Sequence, residues 1–362
     1  LMNQYDKSQL FSGVVLLAKD GNILYEKSFG FADWENKAPV NNQTLFNIAS
    51  IGKAFTHTII KQLESEGKLS LNDPLNKYLS IYPDNIGSKI TINMLIEMKA
   101  GLGDYGMNPE YNRNPGKFTT VDAYLDLIKT EPLLYEPGTG REYSNSGYAV
   151  LGGVIEKVTG KSYEVNLKER IFEPLGMKNT YYKQLSDKIP NSAVGTMINF
   201  AGTKHSIKRE FSPSPAGGMY SNAEDLFKMD AYIRNSKIIG LAARAGGTPT
   251  WNSMLGQYEN GYTLIILSNF GKVADDIEAK FRKIMKNESY SAPLLPLQMQ
   301  LYKVLTDEGS EGLKNNLEKI LKENDEGYGD MALNGFGYQL MQAGELDKAI
   351  EVFKINTQLF PD

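Results

Sequence analysis

The placement of strand-like segments narrows the fold of this chain most. Val14–Ala18 is a continuous apolar run, and Ile23-Leu24-Tyr25 follows it across Lys19-Asp20-Gly21-Asn22. Asp-Gly between such runs marks a tight hairpin turn. A run without polar alternation predicts a strand buried on both faces, with helices covering the sheet. The next clear strand, Tyr262–Leu267, lies far downstream, and Val273–Met285 after it reads as an amphipathic helix with Ile277, Phe281 and Ile284 on one face. Between these ends, Phe55, Ile59, Ile60 and Leu63 carry helical spacing from Lys53 to Glu66, with Gly67 as the stop. A second helix is expected from near Asn145 through Ala149, Leu151, Val154, Ile155 and Val158 to Gly160. Strands at both ends with helices between predict a mixed α/β (α+β) domain, its antiparallel sheet completed from both ends of the chain.

A chain of 362 residues suggests two domains, or one large domain with an appendage. Pro293–Pro296 (Ala-Pro-Leu-Leu-Pro spans it) reads as a linker. From Gln298 to Asp362 there are six Lys/Arg against twelve Asp/Glu, so the end of the chain is markedly acidic. The expected division is therefore residues 1–290 and a helical segment 297–362. The chain begins at Leu1 without a basic, apolar leader, so any targeting segment is removed or not shown.

Composition removes several function classes. Without Cys there are no disulfides, Cys-ligated zinc sites, iron–sulfur clusters or thiol nucleophiles. Only His57 and His205 are available for a His-based metal centre or a Ser-His-Asp triad. His57 reads as a helix-face residue and His205 as a loop residue. The net charge of −4 gives no basic footprint for nucleic acid. No stretch approaches the roughly 18–20 apolar residues of a spanning helix.

Phe46-Asn47-Ile48-Ala49-Ser50-Ile51-Gly52-Lys53 carries the first chemistry. With Ser50 at a helix N-terminus, Lys53 lies one turn on, on the same face. A serine hydroxyl is a weak nucleophile and needs a base. A partly buried amine can have its pKa lowered enough to serve. Free backbone N–H groups at the helix start can stabilise an oxyanion. A second segment, Glu136-Pro137-Gly138 through Tyr143-Ser144-Asn145, is a turn leading into a helix. Tyr143 could act as a phenolate-type base, or as an acid, if a cation lowers its pKa. Asn145 could orient Lys53 or a substrate amide. The plainer reading is that Ser or Asn caps a helix from Tyr148 onward.

In these residues the chain resembles the serine β-lactamase and penicillin-binding-protein superfamily, most closely its class C β-lactamase, D-aminopeptidase and carboxylesterase branch. The resemblance covers roughly residues 9–286. It rests on an ordered set: Ser50/Lys53, Tyr143/Asn145, Pro174-Leu175-Gly176-Met177, and Pro215-Ala216-Gly217-Gly218-Met219-Tyr220-Ser221 before Glu224-Asp225-Leu226. It implies a β-lactamase/transpeptidase-like fold, an antiparallel sheet flanked by helices plus an all-helical subdomain. It also implies an acyl-enzyme at Ser50 and no metal or organic cofactor. The catalytic set would be Ser50, Lys53, Tyr143 and Asn145, acting on an ester, D-peptide or β-lactam, in a protein exported to the periplasm or outside the cell. A recognition or sensor protein that keeps the fold is the rival.

The family's third motif departs here. Arg244-Ala245-Gly246-Gly247-Thr248-Pro249 stands where His or Lys is usual at the first position. Arg is no proton shuttle at neutral pH. Turned into the cleft, Arg244 would bind a substrate carboxylate beside Gly246, and the N–H of Gly247 would join that of Ser50 as oxyanion donor. Only about twenty residues separate Asp225 from Gly246, and Asn235–Leu241 reads as two strand or loop fragments joined abruptly. Met98-Lys99-Ala100-Gly101-Leu102 reads as a structural helix-to-loop element.

Near the end, Leu333, Phe336, Gly337, Leu340, Gly344, Ala349, Phe353 and Pro361 resemble one tetratricopeptide repeat, with Leu297–Leu321 as another helix pair. Such a segment would cover apolar surface of the first domain or offer a protein partner a groove.

Overall fold

The computed structural model describes residues 1–208, 211–324 and 327–361. Its main sheet has five strands: β1 (Gly13–Lys19), β2 (Asn22–Phe29), β3 (Ala243–Thr248), β4 (Trp251–Gln257) and β5 (Tyr262–Ser268). They lie in the order β2-β1-β5-β4-β3, antiparallel throughout. Asp20 and Gly21 make the expected turn, both at positive φ. β5 returns beside β1, from Gly13↔Ser268 to Lys19↔Tyr262, so the two ends of the domain close one sheet.

β1 is apolar throughout because each face of the sheet meets a core. Val14, Leu16 and Ala18 enter the larger core, whereas Val15 enters a second one with Tyr5, Phe11, Ile277 and Phe281. α4 (Ala223–Ser236) and α5 (Val273–Met285) pack against the sheet, α1 (Met2–Ser8) adds Tyr5 to the core on the α5 side, and α2 (Gly52–Ser65) and α3 (Asn145–Thr159) pack on each other within the larger core. Phe55, Ile59, Ile60 and Leu63 bury α2, as their spacing predicts. Ile284 departs from expectation: it is 39% exposed, whereas Ile277 and Phe281 on the same helix are buried. Asn235 and Ser236 also differ, closing α4 rather than forming a strand fragment. Leu226, Met229 and Ile233 keep α4 helical to that point, and Lys237 ends it in the left-handed conformation.

A two-stranded ladder, Phe46↔Ser221 and Asn47↔Tyr220, anchors the approach to Ser50. At the other end lie α6 (Leu297–Glu323), α7 (Gly329–Gln342) and α8 (Leu346–Leu359). Gly309, at φ 68°, breaks α6 into two stretches. Gly337 allows α7 and α8 to cross closely, since a Cβ there would lie 2.6 Å from the Phe353 ring. Their core of Leu301, Leu305, Leu317, Leu333, Phe336 and Val352 takes in Phe200 from the preceding region. The Phe200 ring lies 4.7 Å from that of Tyr302, so the helical segment is docked. Asp362, the last residue of that segment, lies outside the described residues. Among the described residues, no helix is long and apolar enough to cross a membrane.

Candidate active site

Ser50 sits in a single 3-10 turn, Ala49–Ile51, which runs directly into α2. Ala49 is held at φ 42°, a conformation that costs a non-glycine residue about 1–3 kcal/mol unless its surroundings impose it. Here they do. The Ala49 N–H donates to Asn47 Oδ1 at 2.8 Å, and its carbonyl accepts from the Gly218 N–H at 3.2 Å. Two glycines press on the turn from either side. A Cβ on Gly217 would lie 2.2 Å from the Ala49 carbonyl oxygen, and one on Gly246 would lie 2.7 Å from the Ser50 nitrogen.

One helical turn on, the Lys53 amine reaches three oxygens: Ser50 Oγ at 3.0 Å, Asn145 Oδ1 at 2.6 Å and the Ala216 carbonyl at 2.9 Å. Lys53 is 7% exposed, and burial lowers its pKa to about 7, against the opposing pull of the Asp104 carboxylate. A neutral amine has two hydrogens and one lone pair. Asn145 and Ala216 are fixed acceptors for the hydrogens, which leaves the lone pair facing the Ser50 hydroxyl.

Tyr143 OH lies 2.6 Å from Ser50 Oγ, and the Lys53 amine sits 4.8 Å above the Tyr143 ring. Of the two roles open to Tyr143, base or acid, the lowered pKa that a phenolate needs is not found. Burial and the charge of Asp104 push the Tyr143 phenol upward, outweighing its hydrogen bond with Ser50. Tyr143 is therefore a phenol at neutral pH, able to relay or donate a proton.

The capping expectation resolves in favour of Ser144, and the helix begins at Asn145, as its apolar spacing predicts, rather than at Tyr148. The Ser144 hydroxyl accepts from the Gly147 N–H at 2.9 Å and donates to the Gly103 carbonyl at 2.7 Å. That frees Asn145, whose Nδ2 donates to Asp104 Oδ2 at 2.7 Å. Sequence reasoning missed Asp104 because the loop before it reads as structural. A carboxylate directly after Gly101-Leu102-Gly103 was the available signal. Ala216 was also missed, since its carbonyl makes the contact and its side chain announces nothing.

On β3, the expectation that Arg244 turns into the cleft is not met. Its guanidinium donates to the Gly240 carbonyl at 2.6 Å and to Gln257 Oε1, and Gln257 in turn donates to Asp230 Oδ1 at 2.7 Å. Among the described residues no hydrogen bond joins it to Ser50, Lys53, Tyr143 or Asn145. One acceptor comes from the loop after α4 and the other from the adjacent strand β4. His57 is half-buried beside this cation, and burial with the charges of Arg244 and Lys61 lowers its pKa to about 4, so it is neutral. His205 is exposed on a short strand, Lys204–Ile207, rather than in a loop.

Gly247 is placed by strand register. Thr248 and Trp251 close the two-residue Pro249-Thr250 turn. Hydrogen-bonded and open pairs alternate from a closing pair. Gly246↔Ser253 is therefore hydrogen-bonded and Gly247↔Asn252 is open. Consistently, the Gly246 carbonyl points inward and accepts from Asn252 Nδ2 at 3.3 Å. In a trans peptide the next N–H points the other way. The Gly247 N–H thus leaves the open edge of the sheet, next to Gly246, which abuts Ser50.

The sequence profile of the β-lactamase family matches residues 1–265. The chain belongs to the β-lactamase family. It is 30% identical over 322 residues to PbpX of Bacillus subtilis (strain 168), covering 85% of this chain and 78% of that protein. A penicillin-binding protein of the same strain is 32% identical over 249 residues, covering 65% of this chain and 54% of that one. Among solved structures, D-amino acid amidase from Ochrobactrum anthropi SV3 superposes with a TM-score of 0.69 at 22% identity. That likeness covers 79% of this chain and 99% of the amidase, and is a likeness of fold. Membership of the β-lactamase family supports a serine hydrolase in the broad sense.

Proposed function

We propose that the chain forms an acyl-enzyme at Ser50 and hydrolyses neutral esters or amides. Lys53 carries this reading: its amine is 3.0 Å from Ser50 Oγ, and burial brings its pKa to about 7. Lys53 takes the Ser50 proton as Oγ attacks the carbonyl. The N–H groups of Ser50 and Gly247 stabilise the tetrahedral oxyanion. Asp104 favours the ammonium that forms, acting through Asn145. Tyr143, kept protonated, passes its proton to the leaving group and takes in return the proton that Lys53 received from Ser50. Water then releases the acyl group by the reverse route.

Neutral substrates are favoured because Arg244, the candidate carboxylate partner, is tied to Gly240 and Gln257. The proposal therefore leans toward an esterase or amidase rather than a carboxypeptidase or β-lactamase. Residues 1–290 would form the hydrolase unit and 297–362 a helical appendage, and export from the cytoplasm, as the resemblance implies, belongs to the same proposal. The test is turnover of p-nitrophenyl butyrate against nitrocefin, which bears a carboxylate. Ester turnover that vanishes in Ser50→Ala supports the reading. A recognition protein without turnover would hydrolyse neither, and preference for nitrocefin would overturn the substrate class.

A further inference from the structure

Asn252 stands across the sheet from Gly247 and is 2% exposed. Its amide is fully used. Oδ1 accepts from the Ala274 N–H at 2.6 Å and the Asp275 N–H at 3.1 Å, while Nδ2 donates to Asp275 Oδ2 at 2.9 Å and to the Gly246 carbonyl at 3.3 Å. Two N–H groups on the oxygen leave one orientation for the amide. The first turn of α5 would otherwise hold unpaired donors, since Lys272 before it makes no side-chain cap. Asn252 caps the helix from the neighbouring strand instead, and the helix holds its amide rigid.

That amide grips the one peptide whose direction matters for an oxyanion. Gly246 C=O and Gly247 N–H belong to the same planar unit, so fixing one fixes the other. β3 is an edge strand containing two consecutive glycines, whose backbones have the widest conformational freedom. A Cβ on Gly247 would lie 3.2 Å from Asn252 Nδ2, so the amide also sits directly under that glycine. On the other side Gly246 abuts the nucleophile turn, where a Cβ would lie 2.7 Å from the Ser50 nitrogen.

The geometry points to Asn252 as a positioning residue that holds the Gly246–Gly247 peptide with its N–H toward the oxyanion, using the start of α5 as its anchor. This rests on the reading of Ser50 as nucleophile. Removing an oxyanion donor costs on the order of 10²- to 10³-fold in rate. A donor held by the Ser253 ladder bond alone should cost less, roughly 10- to 100-fold.

The test exchanges the pair, Asn252→Asp with Asp275→Asn. The swap preserves net charge, the acceptor for the helix N–H groups and a hydrogen bond between the two side chains, but removes the side-chain donor from the Gly246 carbonyl, which keeps only its ladder bond to Ser253. The expected result is acylation by p-nitrophenyl butyrate slowed about 10- to 100-fold. Affinity for phenylboronic acid, which forms a tetrahedral anion on serine, should fall by a similar factor. The pH midpoint of kcat/KM should stay in place, because Lys53 is untouched. Wild-type acylation or wild-type boronate affinity in the swapped variant overturns the inference, as does a loss that travels with a shifted midpoint. If the swapped pair does not fold, Asn252→Ser, too short to reach the carbonyl, serves for the same comparison. Failure of the underlying reading looks different: the wild-type protein itself would neither acylate nor bind boronate at Ser50.

Discussion

Lys53 and Asp104 are held apart by a single amide. Asn145 accepts from the amine at 2.6 Å and donates to the carboxylate at 2.7 Å. A direct ion pair would favour the ammonium strongly. With Asn145 between them, the carboxylate raises the pKa of Lys53 only partly, and burial still brings it to about 7. Both forms of the amine are then accessible near neutrality, which a group that alternately takes and returns a proton requires.

This arrangement sets a pH dependence. Lys53 is active as the neutral amine, so kcat/KM for a neutral ester should rise with pH through about 7 and fall below it. Asp104→Asn removes the charge that favours the ammonium. The neutral form then persists to lower pH, and the midpoint should move downward. Lys53→Ala should lower kcat/KM by at least about 100-fold, within the range for losing a general base. A pH–rate profile of the three proteins checks both statements, and an upward shift in Asp104→Asn would contradict the role of Lys53.

Arg244→Ala should be a stability variant more than an activity variant. Losing the contacts to Gly240 and Gln257 should cost about 1–2 kcal/mol, less than a fully buried charged hydrogen bond because the side chain is partly exposed. Urea denaturation reads this directly. Ester and carboxylate-bearing substrates should both change by less than about threefold, the effect of a group outside the cleft. Selective loss of the carboxylate-bearing substrate would place Arg244 in the cleft after all.

Gly217 and Gly246, packed on the nucleophile turn, admit no side chain. In Gly246→Ala the new methyl would lie 2.6 Å from the Ile48 carbonyl oxygen and 2.7 Å from the Ser50 nitrogen. Edge strand and turn must separate, which spoils both oxyanion donors. Acylation should drop at least about 100-fold. Gly247→Ala meets chiefly the end of the Asn252 amide, at 3.2 Å, and should be milder. Stopped-flow acylation kinetics compare the two, and equal, small losses would contradict the placement of β3 against Ser50.

Much of this was legible in the sequence, and the exceptions share a physical cause. The hairpin, α2, α3, β5 and α5 follow from apolar spacing and turn residues, which act locally. Ser50, Lys53, Tyr143 and Asn145 are recognisable because side-chain chemistry and order along the chain announce them, and the structure brings all four together. Asp104, Ala216 and Asn252 were not foreseen, because they act through contacts between segments distant in sequence or through a backbone carbonyl. Arg244 was misplaced for a related reason. Its residue type suggested a substrate anion, but the loop after α4 supplies the Gly240 carbonyl and the adjacent strand β4 supplies Gln257.

The central claim is that Ser50 is the nucleophile and Lys53 its base. Its most direct test is active-site labelling with a fluorophosphonate, followed by mass mapping of the modified peptide. The account predicts one adduct per chain, carried by Ser50, absent from Ser50→Ala and formed far more slowly in Lys53→Ala. Equal labelling of wild type and Ser50→Ala, or an adduct on another residue, would contradict it.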